Sequence, residues 1–308
     1  MSDHRYLGLD LGGTYIKVAV IEAGSDGSSP SLVHSESVLT DADAGPTDVL
    51  DRLIDIGRRI IDLHGPVSSV GLGVPGLFDR ETGAIELFPN LPGPWRGFSL
   101  RDPVGEGIGV KASMINDARA FTLAEGTVGA GRDARVMLGI TLGTGIGGGV
   151  MIDGRLHLGA FGTAGEFGHQ TVKPDGPVCG CGNRGCLEAV AKGGAIADEV
   201  GLPNAEAVYA AAAGGDHLAV DAIDRASFYM AIAIANTVAL LGLDVVVLGG
   251  GIMSARDLVL DPLRRAVSNR VTLVPTEEIQ IVQAELGAMA GAIGAALAGK
   301  VQLEDLAL

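Results

Sequence analysis

The sequence predicts an α/β protein built from two related halves. Strand-like and helix-like segments alternate along its 308 residues, which is the pattern of α/β domains. The stretch LGLDLGGT at residues 7–14 returns as LGITLGTG at residues 138–145, and each copy lies between two strand-like segments. Hydrophobic residues make up 47% of the chain and charged residues 19%, so there is material for two cores.

The first half is predicted to begin with a hairpin. Residues 6–10 and 15–21 are apolar, partly β-branched runs around a Gly-Gly turn. A helix is predicted at 47–64, where apolar residues recur at helical spacing, and a strand at 67–74, which ends in Pro-Gly. A further strand and helix, joined at Asn-Asp, are predicted at 109–115 and 118–125.

The second half repeats this opening. Residues 136–141 and 147–152 form the second predicted hairpin around the second glycine turn. Residues 221–241 are predicted to form a long helix and 245–248 a buried strand, because polar residues interrupt the apolar run before a β-branched stretch begins. An Ala/Gly-rich helix is predicted at 286–297.

Charge and hydropathy exclude some partners. The net charge of −15 repels nucleic-acid backbones, so nucleic acid is not expected as a partner. The most apolar stretch, residues 230–250, is interrupted by Asn236, Thr237 and Asp244, which favours a buried helix and strand over a membrane span. The start, MSDHRYLG, has no secretion signal, and a cytoplasmic location is expected.

The two glycine turns are predicted to bind phosphate. Glycine allows backbone N–H groups to face a ligand, and turns on two domains can hold one nucleotide from both sides. Asp10 can hold Mg²⁺ through water, and Lys17 can approach a phosphate. The alternative is that both are simple hairpin turns. No P-loop motif is present, and the G-x-G-x-x-G match from Gly143 is followed by a strand instead of the required helix.

The three cysteines lie within eight residues, in PVCGCGNRGCLE. With His169 they give H-x9-C-x-C-x4-C, a one-histidine, three-cysteine set for tetrahedral zinc, formed with Cys179, Cys181 and Cys186. Four protein ligands would make the site structural. The alternative is three free thiols that happen to cluster.

Several polar residues accompany these motifs. Asp117 can act as a general base or as a helix N-cap. Glu166 and Glu188 can bind sugar hydroxyls or support the metal loop. Asn90, in a Pro/Gly-rich loop, has the position of a turn residue. Composition and spacing lead to a two-lobed phosphate binder with a structural zinc, and they do not select the reaction.

The motifs resemble those of the ROK (repressor, open reading frame, kinase) family of sugar kinases, bacterial glucokinases in particular. The resemblance covers LDLGGT, GLGVPG (71–76), PNLPG (89–93), IND (115–117), LGTGIGGGV (142–150), AGEFGHQTVKP with CGCGNRGCLE, and VVLGGGI (246–252). It implies the two-lobed actin/hexokinase-like (ribonuclease H-like) fold. Lys192, where the family commonly has Ser, and Arg119, where a small or amide residue is usual, depart from the pattern.

The resemblance also implies roles for matching positions. Asp117 would take the proton of the sugar 6-hydroxyl as it attacks ATP, with Asp10 near Mg²⁺. The residues expected to bind the sugar are Asn90, Asn116, Asp117, Glu166, His169 and Glu188, with His169 also a zinc ligand. The residues expected to contact the nucleotide are Gly12, Gly13, Thr14, Lys17, Thr144, Gly145, Gly249, Gly250 and Gly251.

The expected function is ATP-dependent phosphorylation of a hexose at its 6-hydroxyl, with glucose as the substrate. The alternatives are another sugar (N-acetylglucosamine, N-acetylmannosamine, mannose or fructose), polyphosphate as donor, or a non-catalytic sugar sensor. Residues 1–116 with 292–308 are expected to form the smaller lobe and 117–291 the larger, zinc-bearing one. Because the first predicted hairpin begins at Tyr6, the DNA-binding segment of the family's repressors is not expected. A homo-oligomer, dimer or tetramer, is expected.

Overall fold

The computed structural model of the chain describes residues 4–23, 29–89 and 91–304. Within them the strands, numbered in chain order, are β1 His4–Leu11, β2 Tyr15–Ala23, β3 Ser31–Leu39, β4 Ser69–Val74, β5 Leu77–Phe78, β6 Ile85–Leu87, β7 Lys111–Asn116, β8 Val136–Leu142, β9 Ile146–Ile152, β10 Arg155–His157, β11 Val245–Gly249 and β12 Gln280–Gln283. The α-helices are α1 Pro46–His64, α2 Arg101–Ile108, α3 Asp117–Val128, α4 Leu187–Ala191, α5 Gly193–Val200, α6 Ala205–Ala213, α7 His217–Leu241, α8 Arg256–Ser268 and α9 Ala290–Glu304.

The chain divides into two compact units. Unit 1 consists of residues 1–128 and 288–308, and unit 2 of residues 129–287. The sequence analysis had placed the first boundary before residue 117 and the second before residue 292. In the structure α3 belongs to unit 1, because it packs along α9, which returns to this unit from the end of the chain.

Unit 1 contains a five-stranded sheet in the order β3-β2-β1-β4-β7. The hairpin β1–β2 and the β2–β3 pair are antiparallel, whereas β4 and β7 run parallel to β1. Leu7, Leu9 and Leu72 from these strands and Leu53 and Ile60 from α1 are fully buried in one core. Helix α1 starts with Pro at its first position and ends before Gly65, as helical punctuation predicts.

Unit 2 repeats this topology. Its sheet has the order β10-β9-β8-β11-β12, again with two antiparallel pairs on one side of the first strand and two parallel strands on the other. A separate core surrounds Leu138, Ile140 and Val246 together with residues of α7 and α8. The predicted α/β class and the predicted duplication are therefore confirmed.

The differences from prediction have local causes. Strand β7 starts at Lys111 and not at 109, because α2 ends there with Gly109 in the left-handed region. Helix α9 starts at Ala290, after a short 3₁₀ turn, and not at 286. Helix α7 starts four residues earlier than predicted, because Asp216 caps it through the N–H of Leu218.

No helix among the described residues has both the length and the apolar character that a membrane span needs. The apolar stretch 230–250 forms the end of α7 and strand β11, as predicted.

Candidate functional site

The first glycine turn joins β1 to β2 through three residues, Gly12, Gly13 and Thr14. The N–H of Gly12 donates to the carbonyl of Tyr15 at 3.1 Å, which closes the turn. The buried Thr40 holds this turn through two hydrogen bonds. Its hydroxyl donates to the carbonyl of Gly12 at 2.7 Å, and its N–H donates to the carbonyl of Thr14 at 2.9 Å. No described group accepts from the N–H groups of Gly13 and Thr14, so both can donate to a ligand.

Asp10 lies beside this turn, near the end of β1. Its side chain is 14% exposed, and its Oδ2 is 4.0 Å from Nζ of Lys17 on β2. Burial raises the pKa of Asp10 from 3.8 to about 6; Lys17 lowers this pKa and the charge of Asp117 raises it. A Cβ atom on Gly291 would collide with the Asp10 carboxylate, and one on Gly73 would lie 3.0 Å from it. Glycine at both positions therefore makes room for the carboxylate.

Asn116 and Asp117 stand where β7 meets α3. The side-chain oxygen of Asn116 accepts from the N–H groups of Ala118 and Arg119, and its amide donates to the Gly76 carbonyl. Asn116 thus caps α3. Asp117 is the first residue of the helix and is exposed, and its Oδ1 also accepts from Ala118 at 2.8 Å. Both alternatives for Asp117 stay open, because a carboxylate that contributes to a cap still presents a second oxygen.

The second glycine turn, in unit 2, also has three residues, Gly143, Thr144 and Gly145, between β8 and β9. The N–H of Gly143 donates to the Gly145 carbonyl at 3.0 Å. The N–H of Ile146, at the start of β9, donates to Oε2 of Glu188 at 3.0 Å. Within the described chain no group accepts from the N–H groups of Thr144 and Gly145. Two adjacent amides are thus available at each turn, as a phosphate site requires.

Residues 249–251 lie next to the second turn. Gly250 has φ of 98° and touches the end of β8 so closely that a Cβ atom would collide with the Leu142 carbonyl. From another side, the start of α5 approaches the turn, because a Cβ atom on Gly193 would lie 3.3 Å from the Gly143 carbonyl oxygen. The structure thus brings together two of the glycine motifs that the sequence analysis singled out.

A cavity of about 290 Å³ lies beside residues 249–251. Its lining is mostly apolar, with polar groups at Glu206, Tyr209 and Ser254, and is completed by Ala210, Ala213, Ile252, Ala255 and Leu258. Burial raises the pKa of Tyr209 to about 12, so its hydroxyl stays protonated. Such a cavity is suited to a flat, largely apolar group.

His169, Cys179, Cys181 and Cys186 converge, with their ligand atoms all within 4.8 Å of one another. Nδ1 of His169 is 3.6 Å from Sγ of Cys179, and Sγ of Cys181 is 3.7 Å from Sγ of Cys186. Tetrahedral zinc with ordinary bond lengths requires about 3.6 Å and about 3.8 Å for these pairs. Burial raises the pKa of Cys186 to about 12, whereas the N–H of Asn183 lowers that of Cys181.

The predicted sugar-side residues of unit 2 surround this cluster. Oε2 of Glu166 is 3.9 Å from Nε2 of His169, on the other side of the ring from the cysteines. Oε1 of Glu188 is 3.9 Å from Sγ of Cys179. Asn90, which was predicted to bind sugar, lies outside the described residues.

Sequence reasoning missed two features, the cavity beside residues 249–251 and the hydrogen bond from Ile146 to Glu188. It singled out Lys192 only as a departure from the family's usual residue. In the structure Lys192 is half-buried at the N-cap of α5, directly before Gly193, and no described acidic side chain forms an ion pair with it.

Comparison with known proteins gives consistent matches. The model of the ROK family matches residues 6–300. The glucokinase of Thermotoga maritima is 34% identical over 95% of this chain and 96% of its own length. The crystal structure of a ROK hexokinase from Thermus thermophilus superposes with a TM-score of 0.84 at 34% identity, covering 98% of this chain and 99% of that one. A ROK glucokinase from Streptomyces griseus, in complex with glucose and AMPPNP, superposes with a TM-score of 0.77 at 29% identity, over 97% and 100%.

Proposed function

The chain belongs to the ROK family, and from this premise we propose that it is a sugar kinase that transfers the γ-phosphoryl group of ATP to the 6-hydroxyl of glucose. Three relatives that match along 94–96% of their own length are glucokinases, which supports both the reaction and the sugar. The observation that carries the proposal is the pair of topologically equivalent three-residue turns, each with two N–H groups unused by the described chain.

These turns are suited to the phosphates of ATP. Phosphoryl transfer depends on positioning and on neutralising charge, and backbone amides supply both without a flexible side chain. Gly13 and Thr14 would donate from unit 1, and Thr144 and Gly145 from unit 2. Lys17 would add a positive charge beside the first turn. Residues 249–251 would pass along the adenosine, with the adjoining apolar cavity taking the base.

Asp117 would act as the general base. It sits at the carboxyl end of β7, exposed, with the N-terminus of α3 behind it. Because Asn116 makes two of the capping bonds, the helix does not depend on Asp117 alone. A carboxylate here would accept the proton of the 6-hydroxyl as that oxygen attacks the phosphorus.

The residues around Asp10 fit Mg²⁺. Burial and the charge of Asp117 both disfavour the ionised form of Asp10 and raise its pKa to about 6. A divalent cation beside the carboxylate would offset both effects. Asp10 would hold the ion through its water ligands. When bound, Mg²⁺ neutralises charge on the transferred phosphoryl group.

The sugar would be bound by hydroxyl-directed groups. Asn116, Asp117 and Asn90 would contribute from unit 1, and Glu166, His169 and Glu188 from unit 2. Carboxylate oxygens accept hydrogen bonds from hydroxyls, and the amide and imidazole N–H groups donate to them.

His169, Cys179, Cys181 and Cys186 would hold a structural Zn²⁺. Two of the distances between their ligand atoms, 3.6 Å and 3.7 Å, are those of a tetrahedral site, and four protein ligands leave no position for a reacting water. The metal would fix His169 and the cysteine loop, which leads directly into α4, the helix that carries Glu188. Glu166, on the far side of the imidazole, would fix the orientation of the ring.

The test is ADP release by the purified protein with Mg-ATP. Glucose, mannose, fructose, N-acetylglucosamine and N-acetylmannosamine are compared with a no-sugar control, and the glucose assay is repeated with polyphosphate as donor. We expect turnover above the control with glucose and ATP. Turnover with another sugar or donor would correct the substrate, whereas no turnover from folded, zinc-loaded protein with any of them would refute the kinase assignment and favour a sugar sensor.

A further inference from the structure

The carboxylate of Glu188 occupies an unexpected place, directly against the second glycine turn. Its Oε2 accepts from the N–H of Ile146 at 3.0 Å, one residue after the turn ends. A Cβ atom on Gly145 would lie 2.5 Å from the same oxygen, so a side chain there would force the Glu188 carboxylate to move. The Glu188 carboxylate thus occupies the space that a side chain at position 145 would need.

Gly145 has no other reason to be glycine within the described structure. Its φ is not in the left-handed region, so a side chain would cause no backbone strain. The only atoms within 4 Å of its would-be Cβ belong to the Glu188 carboxylate. The position of the Glu188 carboxylate therefore explains glycine at position 145, whereas the backbone conformation of the turn does not.

We propose that Glu188 is a positioning residue for the nucleotide: it holds the second glycine turn in its phosphate-binding shape, and Gly145 is glycine in order to admit it. This rests on the proposed role of the turn in nucleotide binding. Ile146 is buried, so without Glu188 its N–H would have no described partner at the start of β9. The turn would then lose the contact that fixes its outgoing end.

The same carboxylate connects the turn with the cysteine cluster. Glu188 follows Cys186 by two residues, and its Oε1 is 3.9 Å from Sγ of Cys179. An ionised carboxylate has about four lone-pair positions, so Oε1 can accept from a sugar hydroxyl while Oε2 holds the turn. Glu188 would then contact one substrate and position the residues that bind the other.

The test measures the affinity for Mg-AMPPNP by calorimetry in the absence of sugar. Glu188→Ala should weaken binding about tenfold, because it leaves the buried N–H of Ile146 without a described acceptor. Glu188→Gln keeps an acceptor oxygen and removes the charge, so its affinity should stay close to that of the wild type. Gly145→Ala should weaken binding at least as much as Glu188→Ala, because its methyl group displaces the carboxylate. Gly194→Ala, at an open position on α5, is the matched control and should change nothing.

The double variant Gly145→Ala/Glu188→Ala should bind no more weakly than Glu188→Ala alone, since the methyl group then has nothing to displace. Additive losses would overturn the proposal. So would Glu188→Ala that binds AMPPNP as tightly as the wild type or more tightly, the result expected if Glu188 served only the sugar or acted only by repelling phosphate. Should Glu188→Ala fail to fold, equal affinities of Gly145→Ala and Gly194→Ala would overturn it. Sugar-dependent ADP release by the wild type tests the proposed function separately.

Discussion

Replacing Asp10 with Asn should stabilise the protein at neutral pH, although it removes a residue of the proposed active site. In the folded chain Asp10 is buried beside a second carboxylate, and its pKa is raised from 3.8 to about 6. A carboxyl group whose pKa is raised by folding is ionised more easily in the unfolded chain. The free energy of unfolding therefore falls as pH rises from about 4 to above 6. Asn removes this effect, because it is neutral at every pH.

The magnitude follows from the two pKa values. Each pKa unit corresponds to about 1.36 kcal/mol, so ionised Asp10 lowers stability by about 3 kcal/mol at pH 7.5. At pH 5.0 the folded state keeps its proton, and the effect is only about half as large. The stability gain of Asp10→Asn over the wild type should thus grow by about 1–2 kcal/mol between pH 5.0 and pH 7.5.

Urea unfolding of both proteins at the two pH values, in buffer without added Mg²⁺, measures this difference. Effects of the titrating groups that do not interact with Asp10 cancel, because they are common to the two proteins. Lys17→Met serves as a second probe. Since Lys17 lowers the pKa of Asp10, the pH dependence of the Asp10→Asn gain should be larger in that background. A gain that is the same at pH 5.0 and 7.5 would refute the reasoning.

Three further predictions concern the proposed reaction. Asp117→Ala should lower kcat by about 10²–10⁴-fold with little change in sugar binding measured by calorimetry, because a general base acts on the transition state; near wild-type kcat would contradict the role. Elemental analysis should find about one zinc per chain in the wild type and none in Cys186→Ser. A metal-free wild type that stays folded and active would refute the structural zinc site. Lys192→Ser should raise the KM for ATP severalfold at unchanged sugar KM, because Lys192 lies at the start of α5, where Gly193 approaches the second glycine turn. Lys111→Ser, which removes a lysine of unit 1 that likewise forms no ion pair with a described residue, is the control.

The elements that the sequence predicted well share a simple cause. The two hairpins, α1 and α7 carry strong periodic patterns with clear start and stop signals, so local chemistry determines them. Strand β3 was missed because it is an edge strand whose residues are exposed or half-buried, and its sequence SLVHSESVL does not alternate between apolar and polar residues. Short helices such as α4 and α5 depend on the packing of the cysteine loop and have no periodic pattern of their own. The ligand set of the metal cluster was visible because its residues are close in sequence.

What the sequence could not show is how each glycine turn is held. The two turns have the same length and the same place in equivalent sheets, which their similar sequences predict. Their anchors differ: the hydroxyl of Thr40 donates to the first, and the carboxylate of Glu188 accepts from the second. Thr40 lies 28 residues from Gly12, and Glu188 lies 42 residues from Ile146, so no local sequence pattern predicts either hydrogen bond. A neutral hydroxyl can be exchanged for another donor at modest cost, whereas a carboxylate aimed at a phosphate-binding turn also repels the ligand. Its position there is therefore best explained by a second role, and the proposed contact with the sugar supplies one, since Glu188 lies at the start of α4, directly after the cysteine loop.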